Sequence, residues 1–126
     1  MSLERHTSAV PIELTHAERQ LLCAGVGQWG GPAEVSERLA VALGFADVAD
    51  FDAETLRLSQ ALGGDAELSP RDAVRALVAT EVVFASDVLG AGVEWETVTG
   101  YSDTETISIL RDLQGKLVGH YRSLHS

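Results

Sequence analysis

Apolar residues recur every three or four positions along most of the chain, and this spacing lines one face of an α-helix. The two clearest stretches occupy residues 74–89 and 107–124, where Val and Leu supply most of the repeating positions. The pattern predicts an all-α, single-domain bundle of five to six helices, with a central long helix at about 70–89 and a C-terminal helix at about 103–123.

Capping residues indicate where these helices begin. Thr15 and Glu18 form a capping box, in which the hydroxyl and the carboxylate each accept a backbone N–H, and Ser102 begins the same pattern. Ser69, directly before a proline, predicts the start of the central helix. Three further helices are predicted: one from Thr15 to about residue 30, one at about 32–43, and one from a cap at Asp52 to about residue 62.

Two segments depart from this pattern. Residues 1–12 show no apolar period, so they are predicted to be a flexible N-terminal arm ahead of a single helical domain at 13–126. In residues 91–101, Val93, Trp95 and Thr97 alternate as they would in a β-strand. A lone strand would have no partner, so a short helix or a structured loop is expected there.

Charge adds information about what such a bundle contacts. The 126 residues include 19 acidic and 9 basic side chains, so the net charge is −10. An acidic surface repels phosphates, which disfavours nucleic acid as a partner. No apolar run is long enough to cross a bilayer, and a single cysteine excludes an internal disulfide. We therefore expect an acidic, cytoplasmic protein without a membrane partner, and the excess of Arg over Lys is typical of GC-rich bacterial sequences.

Motifs for catalysis or cofactor binding are weak. Residues 25–30 read Gly-Val-Gly-Gln-Trp-Gly, which matches the dinucleotide fingerprint, but that fingerprint must follow a β-strand and here it falls in a predicted helix. Cys23 lies in the apolar part of the same helix, and the four histidines lie near the chain ends or at a helix start. The sequence predicts no catalytic residue, no metal site and no cofactor.

Glu81 occupies an inward or boundary position of the central helix, among apolar neighbours. A buried carboxylate must find a partner or take up a proton, so Glu81 is expected to pair with a neighbouring helix or to contact a ligand in a helical cavity. The expected partners are Trp29, Trp95, Tyr101 and Arg111. Trp95 is itself ambiguous, because such aromatic residues occur both at binding surfaces and as plugs that dock a loop on a helical core.

The acidic residues are concentrated in two segments that contain no Lys, Arg or His. Residues 39–56 hold four acids and residues 76–110 hold six, and these ten equal the net charge because the remaining nine acids are matched by nine bases. The candidates for contact with a partner or ligand come from these segments: Asp47, Asp50, Asp52, Glu81, Glu94, Trp95, Glu96 and Tyr101.

The leading hypothesis is an interaction module, not an enzyme, that binds a basic partner protein, because an acidic face accelerates encounter with a basic one. The alternative is a helical bundle that binds a small ligand, or performs acid–base chemistry, around Glu81. A DNA-binding regulator is the remote alternative, since residues 39–45 resemble the first half of a helix-turn-helix. The acids that open the next helix count against it.

Overall fold

The computed structural model describes residues 11–30, 35–64, 66–85 and 95–120. Within these ranges the chain forms six α-helices and no strand, which confirms the all-α prediction. A short 3₁₀ turn, Gln28–Gly30, follows the first helix. The helices are α1 His16–Gly27, α2 Glu37–Ala42, α3 Val48–Gly63, α4 Pro70–Ala85, α5 Trp95–Thr99 and α6 Asp103–Leu117.

Three helix starts lie where the sequence predicts them. At α1, the backbone N–H of Thr15 donates to Glu18 Oε1 at 2.8 Å, and the N–H of Glu18 donates to Thr15 Oγ1 at 3.1 Å. Ser102 and Glu105 form the second capping box at α6. At α4, Ser69 Oγ accepts the N–H of Asp72. These helices are fixed by residues within one turn of their own starts, so local sequence is sufficient to locate them.

The predicted starts of two other helices are wrong. The helix predicted at 32–43 begins only at Glu37, because Ser36 is its N-cap and accepts the N–H of Leu39 at 3.1 Å. The helix predicted from a cap at Asp52 begins at Val48, because Asp47 is its cap and accepts the N–H of Asp50 at 2.8 Å. In both cases a cap-competent residue at a different position satisfies the free backbone donors of the first turn.

A tight turn joins α2 to α3 and places aromatic rings in the core. Gly44 has φ of +95°, and the N–H of Phe45 donates to Ala40 O at 3.0 Å, as in a Schellman motif. Phe45 and Phe51 then meet edge to face with their centroids 4.9 Å apart, and Trp29 packs on Phe51 at 5.2 Å. The turn therefore fixes the direction in which α3 leaves α2.

Among the described helices, α1 packs mainly against α3 and α4 and also against α5 and α6, whereas α4, the predicted central helix, packs chiefly against α1 and α6. Leu21, Leu22 and Val26 on α1 are buried. Gly25 lies directly against Thr80 of α4, and a Cβ atom at Gly25 would come within 2.5 Å of that side chain. The glycines of residues 25–30 thus belong to a helix and its closing turn, and Gly25 serves close helix packing.

The remaining predictions concern segments that are only partly described. Residues 1–10 of the predicted arm lie outside the described residues, whereas Ile12 donates its N–H to Leu68 O at 2.9 Å. A short helix or a structured loop is expected in residues 91–101; the described part contains the short helix α5, and residues 91–94 lie outside it. The predicted ends of α4, at residue 89, and of α6, at residue 123, also lie outside it. No helix in the described ranges is long and apolar enough to span a bilayer.

The contact between α1 and α4 generates a stability prediction. Gly25→Ala should lower the free energy of unfolding by about 1–3 kcal/mol, because the new methyl group overlaps Thr80 across a buried helix contact. Gly27→Ala is the control, since it lies in the same helix with open space around it, and it should leave stability unchanged or raise it by up to about 1 kcal/mol. Urea unfolding followed by circular dichroism measures both, and equal effects would contradict the packing described.

Candidate functional site

The site residues predicted from the second acidic segment do not converge. Trp95 is fully buried, its Nε1–H donates to Thr106 Oγ1 at 2.7 Å, and its ring meets Phe84 edge to face at 5.2 Å. It fills the core between α4, α5 and α6, so its ring is not accessible to a partner. Glu96 is exposed on α5. Glu94 lies outside the described residues.

Glu81 lies at the boundary between α4 and α6, where its Oε2 accepts a hydrogen bond from Nε2 of Gln114. The predicted tryptophan partners are directed elsewhere, since Trp29 donates to Ala79 O at 3.1 Å. Tyr101 instead lies beside α1, with its hydroxyl 3.5 Å from Gln20 Oε1. Among the described residues, Glu81, Trp95 and Tyr101 therefore have three separate sets of partners and do not line one cavity.

Tyr101 lines a groove of 610 Å³ between α1, the end of α3 and α5. Partial burial raises the pKa of its phenol, and the nearby Glu105 and Cys23 raise it further. Arg19 also lines this groove, but its Nη2 lies 2.7–3.0 Å from the carbonyl oxygens of Ala61, Gly64 and Ala66. The guanidinium thus serves the end of α3, a helix with no basic residue in its own last turn.

The four acids of residues 39–56 divide into those that the fold uses and one that it does not. Asp47 and Asp50 accept backbone N–H groups at the start of α3, from Asp50 and Ala46 respectively. Glu54 forms ion pairs with Arg57 at 2.8 Å and Arg75 at 3.2 Å. The exposed carboxylate of Asp52 forms no hydrogen bond or ion pair with any described residue.

Arg75 is not among the site residues predicted from the sequence. It is only 7% exposed, its guanidinium lies 4.5 Å from the centre of the Phe45 ring, and its Nη2 donates to Gly44 O at 2.9 Å. Burial lowers its pKa, and Arg71 acts in the same direction. The signal in the sequence is a base surrounded by apolar positions, because Ala73, Val74, Ala76 and Leu77 are all buried.

Basic side chains join other helices as well. Arg57 of α3 reaches α4, where it pairs with both oxygens of Asp72 at 2.8 and 3.0 Å. Lys116 of α6 reaches the start of α1, where Nζ lies 2.6 Å from Glu18 Oε1 and 2.7 Å from Glu13 O. With Arg19 and Arg75, four of the seven described bases form contacts between elements of the fold.

A second groove, which we call the α1–α3 groove, lies between the end of α1 and the outer flank of α3. It encloses 410 Å³. Its α3 side carries Asp52, Thr55, Leu56 and Ser59, which share one helix face, and its α1 side carries Val26, Gly27 and Trp29. Leu56 is 60% exposed although it is a large apolar side chain. The groove therefore combines apolar surface with one carboxylate, and no base lines it.

In the described part of the chain, the exposed acids of the two acidic segments lie on different helices. The exposed acids of the first are Asp47, in the turn before α3, and Asp52 on α3, and Glu96, Asp103 and Glu105 of the second lie on α5 and α6. Helix α1 packs against both α3 and α6, which share no substantial contact in the described part of the chain. A partner could therefore meet either region separately.

The structure removes one argument against a helix-turn-helix, the long connection, but the argument from the acids at the start of the second helix remains. Only residues 43–47 separate α2 from α3, a shorter connection than the sequence predicts. The first turns of α3 nevertheless present Asp47, Asp50 and Asp52, and carboxylates there repel phosphates.

The described residues also contain no cluster of three or more His, Cys, Asp or Glu side chains that could hold a metal ion.

Comparisons of the chain with protein-family models, with curated protein sequences and with solved structures returned no match. Any functional assignment therefore depends on the residues and the geometry of the chain itself.

The buried arginine gives one prediction. Arg75→Lys should lower the free energy of unfolding by about 1–3 kcal/mol, because an ammonium group cannot maintain the Phe45, Gly44 and Glu54 contacts together. Arg71→Lys, on the exposed side of the same helix, should change it by less than about 0.5 kcal/mol. Chemical denaturation of the two variants checks this, and equal stability would show that Arg75 is not a structural tie.

The position of Glu81 gives a second stability prediction. Glu81→Gln should change the free energy of unfolding by less than about 0.5 kcal/mol, because a half-exposed amide can still accept the hydrogen bond from Gln114. Thermal and urea unfolding at neutral pH measure the effect. A change above about 2 kcal/mol in either direction would indicate a carboxylate in a functional or desolvated environment, as the alternative hypothesis requires.

Proposed function

We propose that the protein is an interaction module that binds a basic partner protein through its acidic surface. The proposal is supported by a difference between the basic and the acidic side chains of the protein. The basic side chains Arg19, Arg57, Arg75 and Lys116 are engaged in contacts between helices, whereas many acids remain exposed. The exposed acids in the described ranges are Glu13, Glu37, Asp47, Asp52, Glu67, Glu96, Asp103, Glu105 and Asp112.

The consequence is an outer surface on which acids outnumber bases. An ion pair removes one acid and one base together, so the net charge of −10 resides on acids that no base compensates, and in the described ranges nine acids but five bases are exposed. Such a surface attracts a basic protein over the Debye length, about 10 Å at 0.1 M salt, and accelerates its association. Neutralising partners of basic proteins use this combination of small size and acidity.

Ligand binding or acid–base chemistry around Glu81 is less well supported. Its carboxylate is bonded to Gln114 at a helix boundary, and Trp95 and Tyr101 have other partners. A DNA-binding role is disfavoured by the acids at the start of α3.

The test has two steps: capture of the partner by the immobilised protein, and measurement of its binding rate after purification. Immobilised protein should retain a basic protein from a lysate of its native cells at about 0.05 M salt and release it at about 0.5 M, where charge screening is strong. With the partner purified, the triple variant Asp52→Asn, Glu96→Gln, Asp112→Asn should lower the association rate constant by roughly tenfold at low salt.

The opposite charge change is the control. Arg38→Gln and Arg111→Gln remove exposed bases and should increase the same rate constant, while leaving the fold intact. Stopped-flow or surface-plasmon measurements at several salt concentrations would record both effects. Association rates that are equal in all variants, or a retained partner without net positive charge, would contradict the proposal.

A further inference from the structure

The α1–α3 groove contains an acid that the fold itself does not use. In residues 39–56, Asp47 and Asp50 accept backbone N–H groups and Glu54 is paired with two arginines. Asp52 alone presents a carboxylate without a described partner, and this carboxylate lines the groove. It is therefore available to pair with a cation that comes from outside.

The rest of the groove is suited to apolar contact. Leu56 follows Asp52 by one helical turn and is 60% exposed, while Val26 and Trp29 form the buried side opposite. Positions 52 to 59 extend about 10 Å along α3, roughly two turns of helix. A partner segment would thus find a carboxylate and an apolar strip side by side, at the spacing of successive turns.

We propose that the α1–α3 groove docks a basic amphipathic helix of the partner protein. One of its Lys or Arg side chains pairs with Asp52, and an apolar side chain one turn away packs on the exposed Leu56. Charge complementarity selects this occupant, because the groove has a single unpaired carboxylate and no basic lining residue. The inference rests on the proposed function and specifies where the basic partner binds.

A model helix makes the test independent of the partner's identity. The probe is a 14-residue peptide in which Leu occupies one face of a helix and Lys the opposite face. It is titrated into the full chain, and binding is followed by calorimetry and by ¹H–¹⁵N correlation spectra. The largest amide shifts should fall on residues 26–29 and 52–59. In the same spectra the indole N–H signal of Trp29, which lines the groove, should shift on binding, whereas that of Trp95, which packs against Phe84 and Thr106, should not.

Matched variants separate the groove from the general acidic surface. Asp52→Asn and Leu56→Ser should each weaken peptide binding by about tenfold, the usual scale for a residue that anchors an interface. Asp112→Asn and Ile107→Ser make the same chemical changes at exposed positions of α6 and should alter binding by less than about twofold. A Ser/Lys peptide of equal charge should bind at least about tenfold more weakly, because it lacks the apolar face.

The outcomes distinguish the two proposals. Salt-sensitive binding that all four variants weaken alike, or that the Ser/Lys peptide reproduces, would overturn the groove as the docking site and leave the acidic-surface proposal standing. Failure of the peptide to bind while the basic partner binds elsewhere on the protein would do the same. Self-association of the chain abolished by Leu56→Ser would also overturn the inference, because a second copy would then be the occupant. Failure of both the peptide and any basic protein to bind would overturn both proposals.

Discussion

Around the apolar core of the bundle, basic side chains join the helices, chiefly at their ends. Arg19 of α1 binds the carbonyl oxygens at the end of α3, and Arg75 of α4 binds the turn that closes α2. Lys116 of α6 binds Glu18 in the first turn of α1. Helix ends carry unsatisfied backbone groups and partial charges, so each junction gains hydrogen bonds as well as packing. Arg75 shows that these contacts also have a cost, because its buried Nε has no hydrogen-bond partner among the described residues.

These junctions connect the fold to its surface chemistry. Because 19 acids accompany nine bases, many acids have no basic partner even when several bases pair between helices, and the surface carries an excess of negative charge. The α1–α3 groove arises at the end of α1. Helix α1 ends at Gly27, and the next turn carries Trp29 against Phe51 and the carbonyl of Ala79, so the outer flank of α3 is left open beside it. Asp52 and Leu56 occupy that flank.

Local signals predicted the parts of the fold that local contacts determine. Thr15, Ser69 and Ser102 were identified as caps because each acts within three residues of itself. The start of α3 differs from the prediction because Asp47, Asp50 and Asp52 are all able to cap a helix. The structure uses Asp47 as the cap, in an arrangement that buries Phe45 and Phe51.

The contacts between helices are not predictable from such local signals. Arg19 is separated from Ala61 by 42 residues and Lys116 from Glu18 by 98, so no short pattern records them. For Glu81 the sequence predicts an inward or boundary position and the structure shows the boundary, whereas its pairing with Gln114 depends on the register of α4 against α6.

In this fold, four basic side chains join elements of the bundle, while exposed acids give the surface its negative charge. The most direct measurement is the near-surface electrostatic potential at each backbone amide, obtained by NMR from the relaxation that cationic and anionic paramagnetic cosolutes induce. We expect negative potentials over the first turns of α3 and over the α5–α6 junction, and potentials near zero or negative around Arg19, Arg57 and Lys116. Positive potentials around those three residues, as strong as those beside the exposed Arg38 and Arg111, would contradict this expectation.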